Sequence, residues 1–245
     1  VKPVLEQIVR SLGDVIFPPV CVHCRGLVPS DGEFRHLCPR CVAQIDFVKP
    51  PHCSTCGHPF YGELAGERMC PHCEELAPAY REGRTAVLSK GPGRALVHEL
   101  KYHRGLHVLA DIETVFRRAE HVLELARDAL LVPVPLHHRK ERERGYNQSA
   151  LIAGCLVRAA AGAARLAPVL RRTVDTVSQT HHDRKTRRLN LKNAFALAPR
   201  ANITPGLHYV LVDDVFTTGS TLNSCALALR RAGCLNLDVI TFGHG

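Results

Sequence analysis

Two adjacent carboxylates, Asp213 and Asp214, stand where an apolar run meets a hydroxyl-rich turn. The run, Tyr209, Val210, Leu211 and Val212, reads as a buried strand. After the acids come Thr217, Thr218, Gly219, Ser220 and Thr221, and then Leu222, Ala226, Leu229 and Ala232 at helical spacing. Backbone N–H groups of a tight turn at a helix N-terminus favour an anion. Gly219 lets the backbone approach a ligand closely, and the hydroxyls add short donors. A lone Gly-Ser-Thr would be an ordinary capped turn. A phosphate alone needs no upstream carboxylates, whereas ribose hydroxyls and Mg²⁺ do, so the whole block describes a site for a phosphorylated sugar.

A second chemistry lies in the cysteines. Eight of eleven precede residue 74, in four Cys-x-x-Cys knuckles: Cys21/Cys24, Cys38/Cys41, Cys53/Cys56 and Cys70/Cys73. The gap from Cys24 to Cys38 equals that from Cys56 to Cys70, an internal repeat. Four thiolates from two knuckles make a closed tetrahedral Zn²⁺ site. The region has few large apolar residues, so metal must stand in for a core, at about 10–16 kcal/mol of apparent folding energy per site. We expect two sequential ribbons and two structural ions, one on Cys21, Cys24, Cys38 and Cys41 and one on Cys53, Cys56, Cys70 and Cys73. Cross-braced pairing is the alternative arrangement. Disulfides would require export, and no Cys-x-x-Cys opens a helix after a strand as a redox motif would. With four sulfurs per site, His23, His52, His58 and His72 read as bystanders or supporting groups.

These residues must be carried by a larger scaffold. From about residue 80 the cysteines thin out and strand and helix patterns alternate, as in an α/β domain. The expected elements are a strand at 84–90, a Gly-Pro-Gly turn, helices at 94–102 and 106–126, and a strand at 130–134. A basic loop and a helix at 147–161 follow. Strands at 168–172, 194–197 and 208–212 precede the acid pair, and a last strand spans 236–242. We divide the chain into an amphipathic helix (1–19), a double zinc ribbon (20–79) and an α/β domain (80–245). Leu5, Ile8, Val9, Leu12, Val15 and Ile16 form one stripe of that first helix; it packs on its own protein or docks on a membrane or partner. Glu6, Arg10 and Asp14 interrupt the run that a secretory signal needs, and no apolar stretch is long enough to span a bilayer. A cytoplasmic location is expected, with a peripheral position at the inner membrane if the stripe docks there. The net charge of +9 fits polyphosphate or nucleic-acid partners. The absence of Trp leaves base stacking poorly supplied, so phosphate contact is better supported than base reading.

The third block runs from Val132 to Gln148. Pro133 and Pro135 fix the backbone where the chain leaves its strand, and Arg139, Lys140, Arg142 and Arg144 cluster just beyond. Glu141 and Glu143 partly neutralise them, as in a solvated turn; beside a phosphosugar site, the same arginines suit a pyrophosphate, whose oxygens their forks engage bidentately.

The acid-pair turn resembles the phosphoribosyl pyrophosphate (PRPP) loop of type I phosphoribosyltransferases. Together with Val-Pro-Val-Pro-Leu-His at 132–137, Arg-Glu-Arg-Gly-Tyr-Asn-Gln at 142–148 and Asn-Leu-Lys-Asn-Ala-Phe at 190–195, it resembles the ComF family over the whole chain. The resemblance implies a type I phosphoribosyltransferase fold, Rossmann-like with a mostly parallel sheet, behind a small zinc-ribbon domain. It also implies PRPP with Mg²⁺ as ligands. Asp213 and Asp214 would contact the ribose hydroxyls, and Thr217, Thr218, Gly219, Ser220 and Thr221 the 5′-phosphate. Lys101, in a matching Leu-Lys-Tyr, would reach the pyrophosphate with Arg139, Arg142 and Arg144. Purine salvage members acting on hypoxanthine or guanine carry an aspartate where this chain has Thr217, which argues against those bases. The chain departs from the family at His138, at His181 and His182, and in its ending Phe-Gly-His-Gly.

Family membership further implies a part in natural competence, the movement of transforming single-stranded DNA into the cytoplasm. Two functions follow: phosphoribosyl transfer to an unidentified acceptor, or noncatalytic PRPP sensing by an adaptor that holds single-stranded DNA and other competence proteins. The basic cluster Arg184, Lys185, Arg187, Arg188 and Lys192 serves the adaptor. No residue stands out as the acceptor's base. Little chain follows the last strand, which leaves the zinc region as the candidate cover over an acceptor.

Overall fold

The computed structural model describes residues 18–60, 68–174 and 194–245. The stripe at 4–16, the basic cluster at 184–192, His181, His182 and the first four residues of the 190–195 motif lie outside the described residues. The strands are β1 (Gly83–Leu88), β2 (Leu130–Pro133), β3 (Arg165–Leu166), β4 (Leu170–Arg172), β5 (Phe195–Leu197), β6 (His208–Phe216) and β7 (Asn236–His244). The helices are α1 (Pro39–Val42), α2 (Pro71–Leu76), α3 (Gly91–Tyr102), α4 (Leu109–Arg118), α5 (Glu120–Ala126), α6 (His138–Arg144), α7 (Gln148–Ala159) and α8 (Ser220–Arg231).

Five strands form one parallel sheet in the order β1-β7-β6-β2-β3, while β4 and β5 pair antiparallel outside it. Both faces of the sheet are covered, which is why Tyr209 to Val212 of β6 reads as an unbroken apolar run. Val210 and Val212 of β6 and Ile240 and Phe242 of β7 pack toward α3, α4, α5, α7 and the first ribbon. Their neighbours Tyr209, Leu211, Leu237 and Val239 pack toward α8, the β4–β5 pair and the second ribbon. The two ribbons therefore sit on opposite faces, and the linker between them closes the open edge of β1. There Val48 N–H donates to Ala86 O at 3.0 Å and Leu88 N–H to Asp46 O at 2.9 Å. An exposed sheet edge invites association, and this one is paired.

Several expectations shift. The Gly-Pro-Gly turn is the first turn of α3, where a proline is tolerated because its missing N–H has no partner in any case. Residues 106–126 are not one helix: a 3₁₀ turn (Leu106–Val108) leads into α4, and Ala119, at φ −100° and ψ 72°, breaks the chain before α5. The basic loop is the helix α6, which buries no residue and so shows no apolar period. Strand β6 continues through the acids to Phe216 rather than stopping at Val212. Strand β3 has two residues, both exposed, and no pattern to reveal it.

Candidate functional site

The sheet order places the site. After β2 the chain runs through α6 and then α7, which packs on one face, to reach β3; after β6 it turns through α8, on the other face, to reach β7. The two connections leave neighbouring parallel strands in opposite directions, so a crevice opens beyond their carboxyl ends. Register fixes its floor: Pro133 pairs with Val212, and Val134 N–H donates to Val212 O at 2.9 Å. Asp213 is the next residue, so the acid pair emerges in the crevice.

Asp213 Oδ1 accepts from Ser149 Oγ at 2.8 Å and from the Asp214 N–H at 2.9 Å. Lys101 Nζ on α3 lies 2.8 Å from Asp214 Oδ2. Burial, and then the neighbouring Asp214 charge, push the Asp213 carboxyl up to about 7; Ser149, the Asp214 N–H and Lys101 act against that rise. Two crowded carboxylates and one ammonium make a site ready to accept hydrogen bonds from a polyol or to bind a cation. Ser149 is the member that sequence reasoning missed. Asn147 explains its place: its side chain accepts from Ser149 N–H at 3.0 Å as the N-cap of α7 and donates to Val134 O at 3.0 Å.

The turn after β6 is a shallow cradle of about 30 Å³ lined by Asp213, Thr217, Thr218, Gly219, Ser220 and Thr221. Gly219 holds the α8 N-cap position at φ +67° and can offer no side-chain cap, while Ser220 N–H donates to Thr218 Oγ1 at 3.4 Å. Thr218 Oγ1 and Ser220 Oγ are 3.1 Å apart. A Cβ at Gly219 would lie 2.6 Å from Phe216 Cζ and 2.7 Å from Leu76 Cδ2, so glycine is required twice over.

Leu76 belongs to the second ribbon, which grips this turn. His72 Nε2 is 3.2 Å from Thr218 O. Asn223 on α8 accepts from Ala79 N–H at 2.8 Å, and Arg230 Nε donates to Ala79 O at 2.7 Å. Across the sheet, Thr85 Oγ1 donates to Cys56 O at 3.0 Å. The first ribbon is tied to α4 instead, with Arg35 and His36 N–H groups each donating to a buried Asp111 carboxylate at 2.8 Å.

The sulfurs of Cys21, Cys24, Cys38 and Cys41 lie within 4.8 Å of one another, as do those of Cys53, Cys56, Cys70 and Cys73. This is the sequential arrangement, not the cross-braced one. Cys24–Cys38 and Cys56–Cys70 Sγ separations of 3.6 and 3.8 Å fit a tetrahedron with Zn–S near 2.3 Å, whose edges are about 3.8 Å. The second knuckle of each ribbon opens a short helix with proline in its first turn, and among the described residues no strand precedes either.

The arginines of α6 are less gathered than their spacing suggested. Arg139 Nε pairs with Glu143 Oε1 in the same helix at 3.2 Å, and Arg144 donates to Gln148. Arg142 is exposed, with no ion pair among the described residues. Tyr146 O–H donates to Leu100 O, and Arg104 donates to Glu143 O at 3.1 Å, so α3, α6 and the start of α7 are tied around the crevice. No helix among the described residues is long and apolar enough to cross a membrane.

The described residues thus define an α/β protein with a parallel sheet and two zinc-ribbon sites of four cysteines each. The family described as Double zinc ribbon domain matches residues 12–74. Competence protein F of Haemophilus influenzae is 31% identical over 227 residues, covering 89% of this chain and 94% of its own. DNA utilization protein YhgH of Salmonella typhimurium is 32% identical over 229 residues, covering 91% and 95%. A solved hypoxanthine phosphoribosyltransferase from Staphylococcus aureus matches 54% of this chain and 62% of its own at 14% identity and a TM-score of 0.35. The chain belongs to the ComF family, that of Competence protein F and YhgH.

Proposed function

We propose that the chain binds PRPP with Mg²⁺ in the crevice between β2 and β6 and transfers its phosphoribosyl group to an acceptor. The observation that supports this reading is the juxtaposition of Asp213 and Asp214 with a hydroxyl-lined cradle at a topological switch point. In this reading Thr217, Thr218, Gly219, Ser220 and Thr221 hold the 5′-phosphate. Asp213 and Asp214 accept hydrogen bonds from the ribose 2′- and 3′-hydroxyls, with Ser149 orienting Asp213. Lys101 exchanges its ion pair with Asp214 for the pyrophosphate, which Arg139, Arg142 and Arg144 also neutralise. Mg²⁺, held beside Asp213 and Asp214, would supply further neutralisation of the leaving group's charge. The bond from C1′ to the pyrophosphate oxygen breaks with its electron pair leaving on pyrophosphate, an acceptor lone pair bonds C1′, and the acceptor's proton goes to solvent. Such a reaction needs leaving-group neutralisation and positioning more than a strong nucleophile. The names of the relatives, competence and DNA utilization, support a role in DNA uptake. Pyrophosphate release from PRPP and Mg²⁺ with bases, nucleosides and nucleotides as acceptors tests transfer, and release at the uncatalysed rate with all of them sets it aside.

The exposed basic helix α6 favours a second reading, an adaptor that senses PRPP and holds single-stranded DNA through its phosphates. Binding that falls steeply with salt supports it, and no binding at low salt removes it.

A further inference from the structure

Beside the crevice lies a second concavity that shares only Lys101 with the PRPP contacts proposed above. It is an open cleft of about 290 Å³ over the carboxyl ends of β1 and β6, lined by Ser89, Arg94, His98, Lys101, Tyr102 and Val215. Arg94, His98 and Lys101 are spaced i, i+4 and i+7, which puts them on one face of α3 and makes that face the cleft's wall. From Lys101 to Arg94 the wall extends about 10 Å at 1.5 Å per residue. Lys101 ends it at Asp214, and Arg94 ends it away from the acid pair.

The chemistry of the wall is uniform in sign. No carboxylate lines the cleft, and Arg94 is exposed with no ion pair or hydrogen bond from its side chain among the described residues. A guanidinium left free at one end of a cleft suits a phosphate, which it engages through two parallel hydrogen bonds. Tyr102 is 67% exposed, with its ring 4.8 Å from that of His98, and offers a flat apolar surface within the same cleft. Aromatic rings of this kind stack on nucleobases with little regard to sequence. The cleft's volume approaches the lower end of the range for small-molecule sites, about 300 Å³.

We infer that this cleft receives the acceptor, and that the acceptor is a nucleotide: a 5′-phosphate against Arg94, a base against Tyr102 and His98, and the remainder directed toward the acid pair. This rests on the transferase reading above and adds to it the class of the second substrate. A free base or nucleoside would leave Arg94 without a role.

The test is calorimetric titration of the full zinc-loaded chain, saturated with PRPP and Mg²⁺, using 5′-dAMP and deoxyadenosine as probes. We expect 5′-dAMP to bind at least tenfold more tightly than deoxyadenosine. Arg94→Gln should abolish that difference while leaving PRPP affinity within twofold, and its exposed position keeps the fold intact. Equal binding of the two probes overturns the inference. So does Arg94→Gln that leaves 5′-dAMP unaffected, since the nucleotide's phosphate is then held by some other group. Weakened PRPP binding in the same variant also overturns it, by assigning Arg94 to the pyrophosphate. If wild type binds no PRPP, the transferase reading falls by itself. The same comparison on the PRPP-free chain then still decides whether the cleft selects a phosphate through Arg94.

Discussion

Replacing Gly219 by alanine separates two reasons for glycine in one turn. The residue sits at φ +67°, and a side chain held there costs about 1–2 kcal/mol from backbone crowding alone. The new Cβ would also stand 2.6 Å from Phe216 Cζ and 2.7 Å from Leu76 Cδ2, closer than packed carbon atoms approach. Forcing an extra carbon into such a contact costs about 1–3 kcal/mol. The sum is about 2–5 kcal/mol, and relief comes by moving Leu76 and the second ribbon away from the turn. Gly162 supplies the control, at φ +86° with no heavy atom within 4 Å of an added methyl group, so Gly162→Ala bears only the backbone cost. Urea unfolding followed by far-UV circular dichroism suits a chain without Trp. Gly219→Ala should be less stable than Gly162→Ala by about 1–3 kcal/mol and should bind PRPP at least tenfold more weakly than wild type. Equal losses of stability would refute the packing of Leu76 and Phe216 on the turn, and intact PRPP binding would refute its role as the cradle.

Asp213 makes stability depend on pH in an unusual direction. Its carboxyl is pushed from 3.8 to about 7 by burial and by Asp214, so between these values the folded protein holds a proton that the unfolded chain has released. Stability therefore falls as pH rises from about 4 to 7 and levels off above; Asp213→Asn should flatten that slope and gain about 1–3 kcal/mol at pH 8, and unfolding curves that shift equally at pH 5 and pH 8 would contradict this. Ser149→Ala removes a hydroxyl donated to the same carboxylate, worth about 1.5–3 kcal/mol, and should raise the carboxyl midpoint by about 1–2 units in an infrared or NMR titration. An unmoved midpoint would show that Ser149 does not act on Asp213. Zinc loss should be felt unequally: Cys73→Ser loosens the ribbon that carries His72 and Leu76 and should weaken PRPP binding more than Cys41→Ser does, whose ribbon is tied to α4. Equal effects would deny the contact between the second ribbon and the turn a functional part.

The zinc ligands were legible because knuckle spacing alone restricts four sulfurs to a tetrahedron, and the only open question, which knuckles pair, needed coordinates. The acid pair and its turn were legible because a buried parallel strand leaves a long apolar run that ends abruptly at Asp213. Helix α6 was not, since a helix that buries nothing carries no period, and its charges look the same in a loop. Ser149 could have been suspected only as part of an Asn-x-Ser N-terminus to α7; nothing local says that its hydroxyl reaches a residue 64 positions away. The grip of the second ribbon on Thr218 and Gly219 is likewise a long-range fact. Its one trace in sequence is Gly219 itself, which looked like a ligand's requirement and is also Leu76's.

The central claim is tested most directly by calorimetric titration of the chain with PRPP, with and without Mg²⁺, beside the Asp213→Asn/Asp214→Asn variant. The account predicts one PRPP per chain, tighter with Mg²⁺, and a loss of at least tenfold in the variant. Saturable binding that the double substitution leaves unchanged, or no binding by the wild-type chain, would contradict it.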